Sequence, residues 1–329
     1  INNPRYGNDA RYYYGFIAYK QEDYKTAEIH LTEIAKQASY TSEATYYLLD
    51  ISFKDGRFEK CIEIGEKLLE DPKQKEVSDI SKIVGESYFN LKKYKEALPY
   101  LKAYKGKRSK WNNTDYYQLG YAYYKQNDFE NAVKNFNKII GEKNSISQNA
   151  YYHLAECYLY LEKKPEALNA FKSASEMNFD KKIKEDAFLN YAKLSYEQGN
   201  PYKSVADVLQ DFLTAYPRSA SYNEINQLVV TSFLYQQDYQ GALDYLAKKR
   251  SATNIQLTNE VSYYRGVQLF NLKKLQEAYP YFEEATDASD TNIKVSALYW
   301  KAETDFQLSN FQKSLDERKI KTIEEQMPQ

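Results

Sequence analysis

At 329 residues, with 45 Lys plus Arg against 46 Asp plus Glu, the chain is long enough for about two globular domains and carries a net charge of −1. That balance gives no field for counterion release on a polyphosphate, which argues against a general nucleic-acid binder. A mean hydropathy of −0.78, with no apolar stretch near the roughly 18 residues of a membrane helix, argues against a spanning segment. Only 11 Gly and 8 Pro disfavour phosphate loops and turn-rich β folds, 2 Cys exclude a disulfide framework, and 2 His leave little for metal or acid–base chemistry.

The outlier is aromatic content, 35 Tyr beside 15 Phe, which also opposes disorder. Those rings recur in register. A small residue followed by an aromatic run appears at Gly15 and again at Gly120, and the intervening and later units place Leu49, Gly85, Ala155, Ala192, Val230, Gly266 and Ala302 at the same point. A second series runs Ala27, Cys61, Ala97, Ala132, Ala167, Val205, Ala242, Ala278 and Ser314, in steps of 34, 36, 35, 35, 38, 37, 36 and 36. The two series stay 12 residues apart, except for 13 at Ala192 to Val205, where Gly199-Asn200-Pro201 lengthens a turn.

Each unit is predicted to form two helices. In the fourth, Tyr116, Leu119, Gly120 and Tyr123 fall at helical spacing. Gln126-Asn127-Asp128 makes a polar turn, and Phe129, Ala132, Phe136 and Ile139 share a face of the second helix. Small residues recur where paired backbones must approach, since overpacking there costs about 1–3 kcal/mol. Leu49 and Val230 break that rule, so the second and seventh units are expected to pack more loosely or at a shifted angle.

This pattern resembles the tetratricopeptide repeat, W-x₂-L-G-x₂-Y then A-x₃-F then P. Tyr116, Leu119, Gly120, Tyr123, Ala132 and Phe136 occupy those places in the fourth unit, and Tyr151, Leu154, Ala155, Tyr158, Ala167 and Phe171 in the fifth. Phe212 and Pro217 close the sixth, and the likeness covers roughly Asn8 to Arg318. The resemblance implies an all-α fold, an α-solenoid or right-handed superhelix of about nine antiparallel helix pairs, with the first helices lining a concave groove. The units run about 8–41, 42–77, 78–112, 113–147, 148–184, 185–222, 223–258, 259–294 and 295–329, one array over 1–329. Arg318 stands where other units have Phe, Asn3-Pro4 resembles the close of an earlier unit, and solenoids need polar end caps, so a fragment of a longer array is expected.

Three sets of first-helix positions lie on one face. Three places before the small residue stand Tyr12, Tyr46, Lys82, Tyr117 and Tyr152. One place after it stand Phe16, Asp50, Glu86, Tyr121, Glu156 and Lys193, and four places after it Tyr19, Phe53, Phe89, Tyr124 and Tyr196. These are the candidate partner-binding residues. Two roles are open to their rings, packing between neighbouring repeats and contact with a partner. Aromatics suit contact because they bury much area at small entropy cost, and the interleaved charges add selectivity. Some members of the family grip a C-terminal carboxylate with Lys and Asn. Lys82 stands at one such place, but Glu86 occupies the other, so that clamp is not expected.

His153, Glu156 and Cys157 share a helix face that mimics a metal site, yet both cysteines sit at packing positions and no further ligand lies near in sequence. No nucleophile–base pair or phosphate loop stands out, so neither an enzyme nor a cofactor is expected. Lys102, Lys105, Lys107, Arg108 and Lys110, ahead of Trp111, form the densest basic run; a solvated inter-repeat loop and a site for an acidic partner are both open to it. The expected function is a non-enzymatic scaffold holding a protein partner as a peptide, helix or domain, with carbohydrate or peptidoglycan recognition as the alternative. Phe212-Leu213-Thr214-Ala215-Tyr216-Pro217-Arg218-Ser219 resembles repeats of bacterial envelope-assembly members of the family, which implies a bacterial periplasmic or envelope setting.

Overall fold

The computed structural model describes residues 6–248 and 252–326, with side chains described for 6–248 and 254–309. Asn3-Pro4 and the side chains of Ser314 and Arg318 lie outside them. Among the described residues there are seventeen helices and no strand beyond one isolated bridge, Lys107 to Lys110. This is the expected all-α solenoid.

The chain divides into two compact units, Ile1–Tyr191 and Ala192–Gln329. The first holds five helix pairs: α1 (Gly7–Lys20) with α2 (Tyr24–Ile34), α3 (Thr41–Lys54) with α4 (Phe58–Leu69), α5 (Val77–Asn90) with α6 (Tyr94–Ala103), α7 (Asn113–Lys125) with α8 (Phe129–Phe136), and α9 (Ser145–Tyr160) with α10 (Lys164–Glu176). Helix α11 (Lys181–Gln198) runs across the boundary. The second unit continues with α12 (Val205–Ala215), α13 (Tyr222–Tyr235), α14 (Tyr239–Ala247), α15 (Ala252–Asn271), α16 (Leu275–Ala285) and α17 (Thr291–Gln326).

Paired helices meet by fitting a large side chain over the small residue. A Cβ on Gly15 would lie 3.1 Å from Leu31, on Gly85 2.9 Å from Leu101, on Gly120 2.9 Å from Phe136 and on Gly266 2.7 Å from Phe282. The large partner stands sixteen places after the small one in every case, and all four are buried. The second repeat exchanges the sizes. Leu49 is fully buried, and sixteen places on stands Gly65, whose Cβ position would lie 3.6 Å from Leu49 and 2.2 Å from Val84. The seventh repeat has no such exchange, since Val230 and Leu246 are both large and both buried.

The turns between paired helices are equally regular. The residue seven places after the small one is left-handed throughout: Glu22 (φ 62°), Gly56 (71°), Lys92 (60°), Asn127 (60°), Glu162 (58°), Gly199 (83°), Gln237 (56°) and Lys273 (61°). Around it the backbone closes with paired bonds such as Lys163 N–H to Tyr158 O and Glu162 N–H to Leu159 O, the Schellman arrangement that ends a helix. Six of the eight are not glycine, although a left-handed side-chain-bearing residue costs about 1–2 kcal/mol. Glu162 and Lys273 are exposed. Replacing both by Gly should stabilise the protein by about 0.5–1 kcal/mol per site after glycine's own entropy cost, and so raise the thermal midpoint. A midpoint unchanged or lowered would count against this account of the turn.

The ninth unit departs from the pattern. Its turn would fall near Ser309, but α17 continues as one 36-residue helix. Ala302, which should lie beneath a returning helix, is exposed, as are Val295, Leu298, Tyr299 and Phe306. The described fold is therefore a run of helix pairs closed by a single long helix. In every pair that makes the turn, the residue sixteen places after the first-helix position is buried, and here the sequence puts Arg318 at that place.

Candidate functional site

All sixteen candidate residues are half-buried, neither core nor free surface. In the first unit their rings interlock from repeat to repeat. Phe16 lies 5.4 Å from Tyr47, Tyr19 lies 4.9 Å from Tyr47, and Phe89 lies 5.8 Å from Tyr121, between ring centroids. Tyr121 is the most connected. It meets Tyr94 edge-on at 5.5 Å and His153 edge-on at 5.0 Å, and it packs on Tyr117 and Tyr124 at 5.8 Å each. One ring thus touches three consecutive repeats. Burial, followed by the Tyr94 phenol, raises its pKa.

Two further registers, missed in the sequence, lock these ladders. The residue two places before the small one reaches into the aromatics of the preceding repeat. Tyr47 does so between Phe16 and Tyr19. His153 does so among Tyr117, Tyr121 and Tyr124, and Trp300 stands beside Phe270 at 4.9 Å and Phe282 at 6.4 Å. The residue six places before is an acid in most units, and in three of them it receives a ladder side chain of the preceding repeat. Glu43 accepts from Tyr12, Asp186 accepts from Tyr152, and Glu224 pairs with Lys193 at 2.7 Å in the second unit. Burial and the nearby charges of Asp79, Asp50 and Glu76 push the Tyr46 phenol up to about 12. The signal was present in the sequence at a constant offset.

The interleaved charges are engaged as well. Asp50 accepts from the Tyr19 hydroxyl at 2.6 Å and pairs with Lys54 at 3.2 Å. Lys82 pairs with Asp115 of the next repeat at 2.7 Å and lies 3.8 Å from Glu86, its ammonium 4.7 Å above the Tyr104 ring. Burial pulls the Lys82 pKa down, but the bond to Asp115 and the charges of Glu86 and Asp115 outweigh it and raise it. Burial likewise raises the Glu86 carboxyl against the pull of Lys82. Glu156 lies 2.7 Å from His153 Nδ1 and bonds the Tyr124 hydroxyl. In the second unit Tyr196 meets Tyr235 at 6.4 Å, and Phe53 in the first meets Phe58 at 5.8 Å.

What stays available is the outer surface of these rings. Lysine ammoniums of the same or the next first helix already lie over several of them: Lys20 over Phe16 at 5.2 Å, Lys54 over Tyr19 at 5.2 Å, and Lys125 over Tyr121 at 5.8 Å and Tyr124 at 5.7 Å. Lys54 is held there by ring and carboxylate together, over Tyr19 and against Asp50. Cys61 and Cys157 are buried and burial pushes their thiols up to about 11 and about 12, so both are packing residues rather than nucleophiles. Among the described residues no three His, Cys, Asp or Glu side chains converge for a metal, and no helix is long and apolar enough to cross a membrane.

A family model described as anaphase-promoting complex, cyclosome, subunit 3 matches residues 20–104 and 102–174, and one described as tetratricopeptide repeat matches residues 230–293. Similar solved structures include a variant of MamA, 21% identical, covering 54% of this chain and 100% of that one with a TM-score of 0.46. YrrB, described as a TPR protein with an unusual peptide-binding site, is 16% identical over 61% of this chain and 96% of its own, with a TM-score of 0.45. A tetratricopeptide repeat protein from Parabacteroides merdae is 16% identical over 79% of this chain and 98% of its own, with a TM-score of 0.41. No curated protein matches the chain.

Proposed function

Because the chain belongs to the tetratricopeptide repeat family, whose fold suggests a protein–protein interaction scaffold, we propose that it is a non-enzymatic scaffold whose first-helix face holds a segment of a protein partner. The segment sits across the third to fifth repeats and presents a Lys or Arg beside apolar side chains. The observation that carries this reading is the meeting of the three ladders at Tyr117, Tyr121 and Tyr124, with Phe89 and His153 beside them and Glu86 and Glu156 on either side in the middle ladder. Half-exposed aromatic surface framed by carboxylates suits a cation carried on an apolar segment. Rings already held in place by neighbours lose little freedom on binding, which favours affinity.

The sugar reading has no observation in its favour.

A photoreactive amino acid placed in turn at Phe89, Tyr124 and Ile29 tests the reading. Ile29 lies on the second helix α2 and is 62% exposed. Cross-linking in cells, read by mass spectrometry, should join one protein to positions 89 and 124 and leave position 29 blank. A partner joined at position 29 alone would overturn the assignment of the face.

A further inference from the structure

The inter-repeat segment between α6 and α7 is not a loose loop. Arg108 (φ 52°) and Ser109 (φ 62°) form a left-handed turn pair of the kind that closes two-residue hairpins. Lys107 and Lys110 flank it as an antiparallel bridge, with Lys110 N–H donating to Lys107 O at 3.1 Å. Gly106 (φ 85°) could not carry a side chain, since a Cβ would lie 2.5 Å from the Lys110 carbonyl. Trp111 pins the base: its indole N–H donates to Tyr104 O at 3.0 Å, and its ring packs on Tyr104 at 6.2 Å and Tyr116 at 5.2 Å. The Lys105 N–H donates to Ser78 Oγ at 3.0 Å.

This hairpin sets like charges against each other. Residues directly opposite in an antiparallel bridge hold their side chains close on one side, and like charges there are destabilising. Lys107 and Lys110 stand so, with Arg108 between them in sequence and Lys105 and Lys102 nearby, all exposed. Among the described residues no carboxylate lies within ion-pair distance of any of the five. From Ala97 to Thr114 the chain has no Asp or Glu, and the next acid, Asp115, is buried and held by Lys82. Among the described residues no other inter-repeat segment forms such a bridge, so the repeat packing elsewhere does without it. Local conflicts that the fold does not need are characteristic of functional surfaces.

The geometry points to a docking site for an acidic segment of a partner protein, in which clustered Asp or Glu carboxylates neutralise Lys107, Arg108 and Lys110. The site is separate from the first-helix face and does not rest on the reading of that face. A membrane surface fits less well, because the hairpin has no exposed apolar side chain to insert and Trp111 is half-buried and bonded. A nucleic acid fits less well because interfaces of that kind neutralise about 6–10 phosphates, more than one short hairpin offers on a chain of net charge −1.

Fluorescence anisotropy of the full chain with a labelled oligo-glutamate peptide tests the proposal. The triple variant Lys107→Gln, Arg108→Gln, Lys110→Gln should bind the peptide about tenfold more weakly or worse, with the loss shrinking as salt rises. Lys92→Gln, Lys93→Gln, Lys95→Gln makes the same change in net charge at exposed positions around the start of α6 in the same repeat and should leave binding near the parent value. Equal losses in the two triples would reduce the effect to net charge and overturn the site. So would tighter hairpin-dependent binding to phosphatidylserine vesicles or to single-stranded DNA than to the peptide. Circular dichroism of both triples confirms that the comparison is between folded proteins.

Discussion

Truncating Phe136 to Ala should cost about 3–5 kcal/mol of unfolding free energy, at the upper end for a single core change. Phe136 is fully buried, and it fills the space over Gly120, where even a Cβ would come within 2.9 Å of its ring. It also reaches beyond its own pair, to Tyr117 at 5.9 Å and to His153 of the next repeat at 6.2 Å. In a solenoid each repeat is held by its neighbours, so removing this ring weakens the fourth pair and its interface with the fifth together. Phe306→Ala is the control, since Phe306 is 64% exposed on α17 and its loss should fall within about 0.5 kcal/mol. Urea titrations followed at the helical signal compare the two. A Phe136→Ala cost below that of an ordinary surface change would contradict the size-matching account of the pair.

That account was legible in the sequence because it depends on two residues at fixed offsets. The period and the small residue at Gly15, Gly85, Gly120 and Gly266 gave the fold, and α1 to α16 bear it out. The exchange at Leu49 and Gly65 escaped because only one side of the fit was followed. A large residue at a small place reads as a defect until its partner sixteen positions on is inspected. The three ladders were followed as one face, but their neighbours were not. Tyr47, His153 and the acids at Glu43, Asp186 and Glu224 belong to registers that carry no family signature, and their meaning depends on which side of a helix meets the preceding repeat. The long helix α17 was unreadable for a different reason. Its residues are compatible with helix throughout, and whether a turn interrupts them depends on packing energy that the local sequence does not encode.

Asp115→Ala should destabilise the array by about 3–5 kcal/mol, the range for breaking a buried ion pair from one side. Its side chain is only 3% exposed. One carboxylate oxygen takes the Lys82 ammonium at 2.7 Å and the other takes the Asn112 N–H at 2.9 Å, while the Asp115 N–H donates to Asn112 Oδ1 at 3.0 Å in a reciprocal cap on α7. Alanine removes half of the cap and leaves Lys82 with Glu86 at 3.8 Å as its remaining ion-pair partner. Lys82→Met should cost less, because Asp115 keeps its bond from the Asn112 N–H at the helix N-terminus and an apolar side chain replaces the ammonium over the Tyr104 ring. The double variant should cost less than the sum of the two, since neither charge is then left alone. Urea titrations of the three variants decide the matter. An Asp115→Ala loss below about 1 kcal/mol, the level of a surface pair, would return Lys82 to the pool of free groove cations. The expected loss instead makes Lys82 a strut between the third and fourth repeats, with its charge committed within the protein and little left to grip a partner's carboxylate.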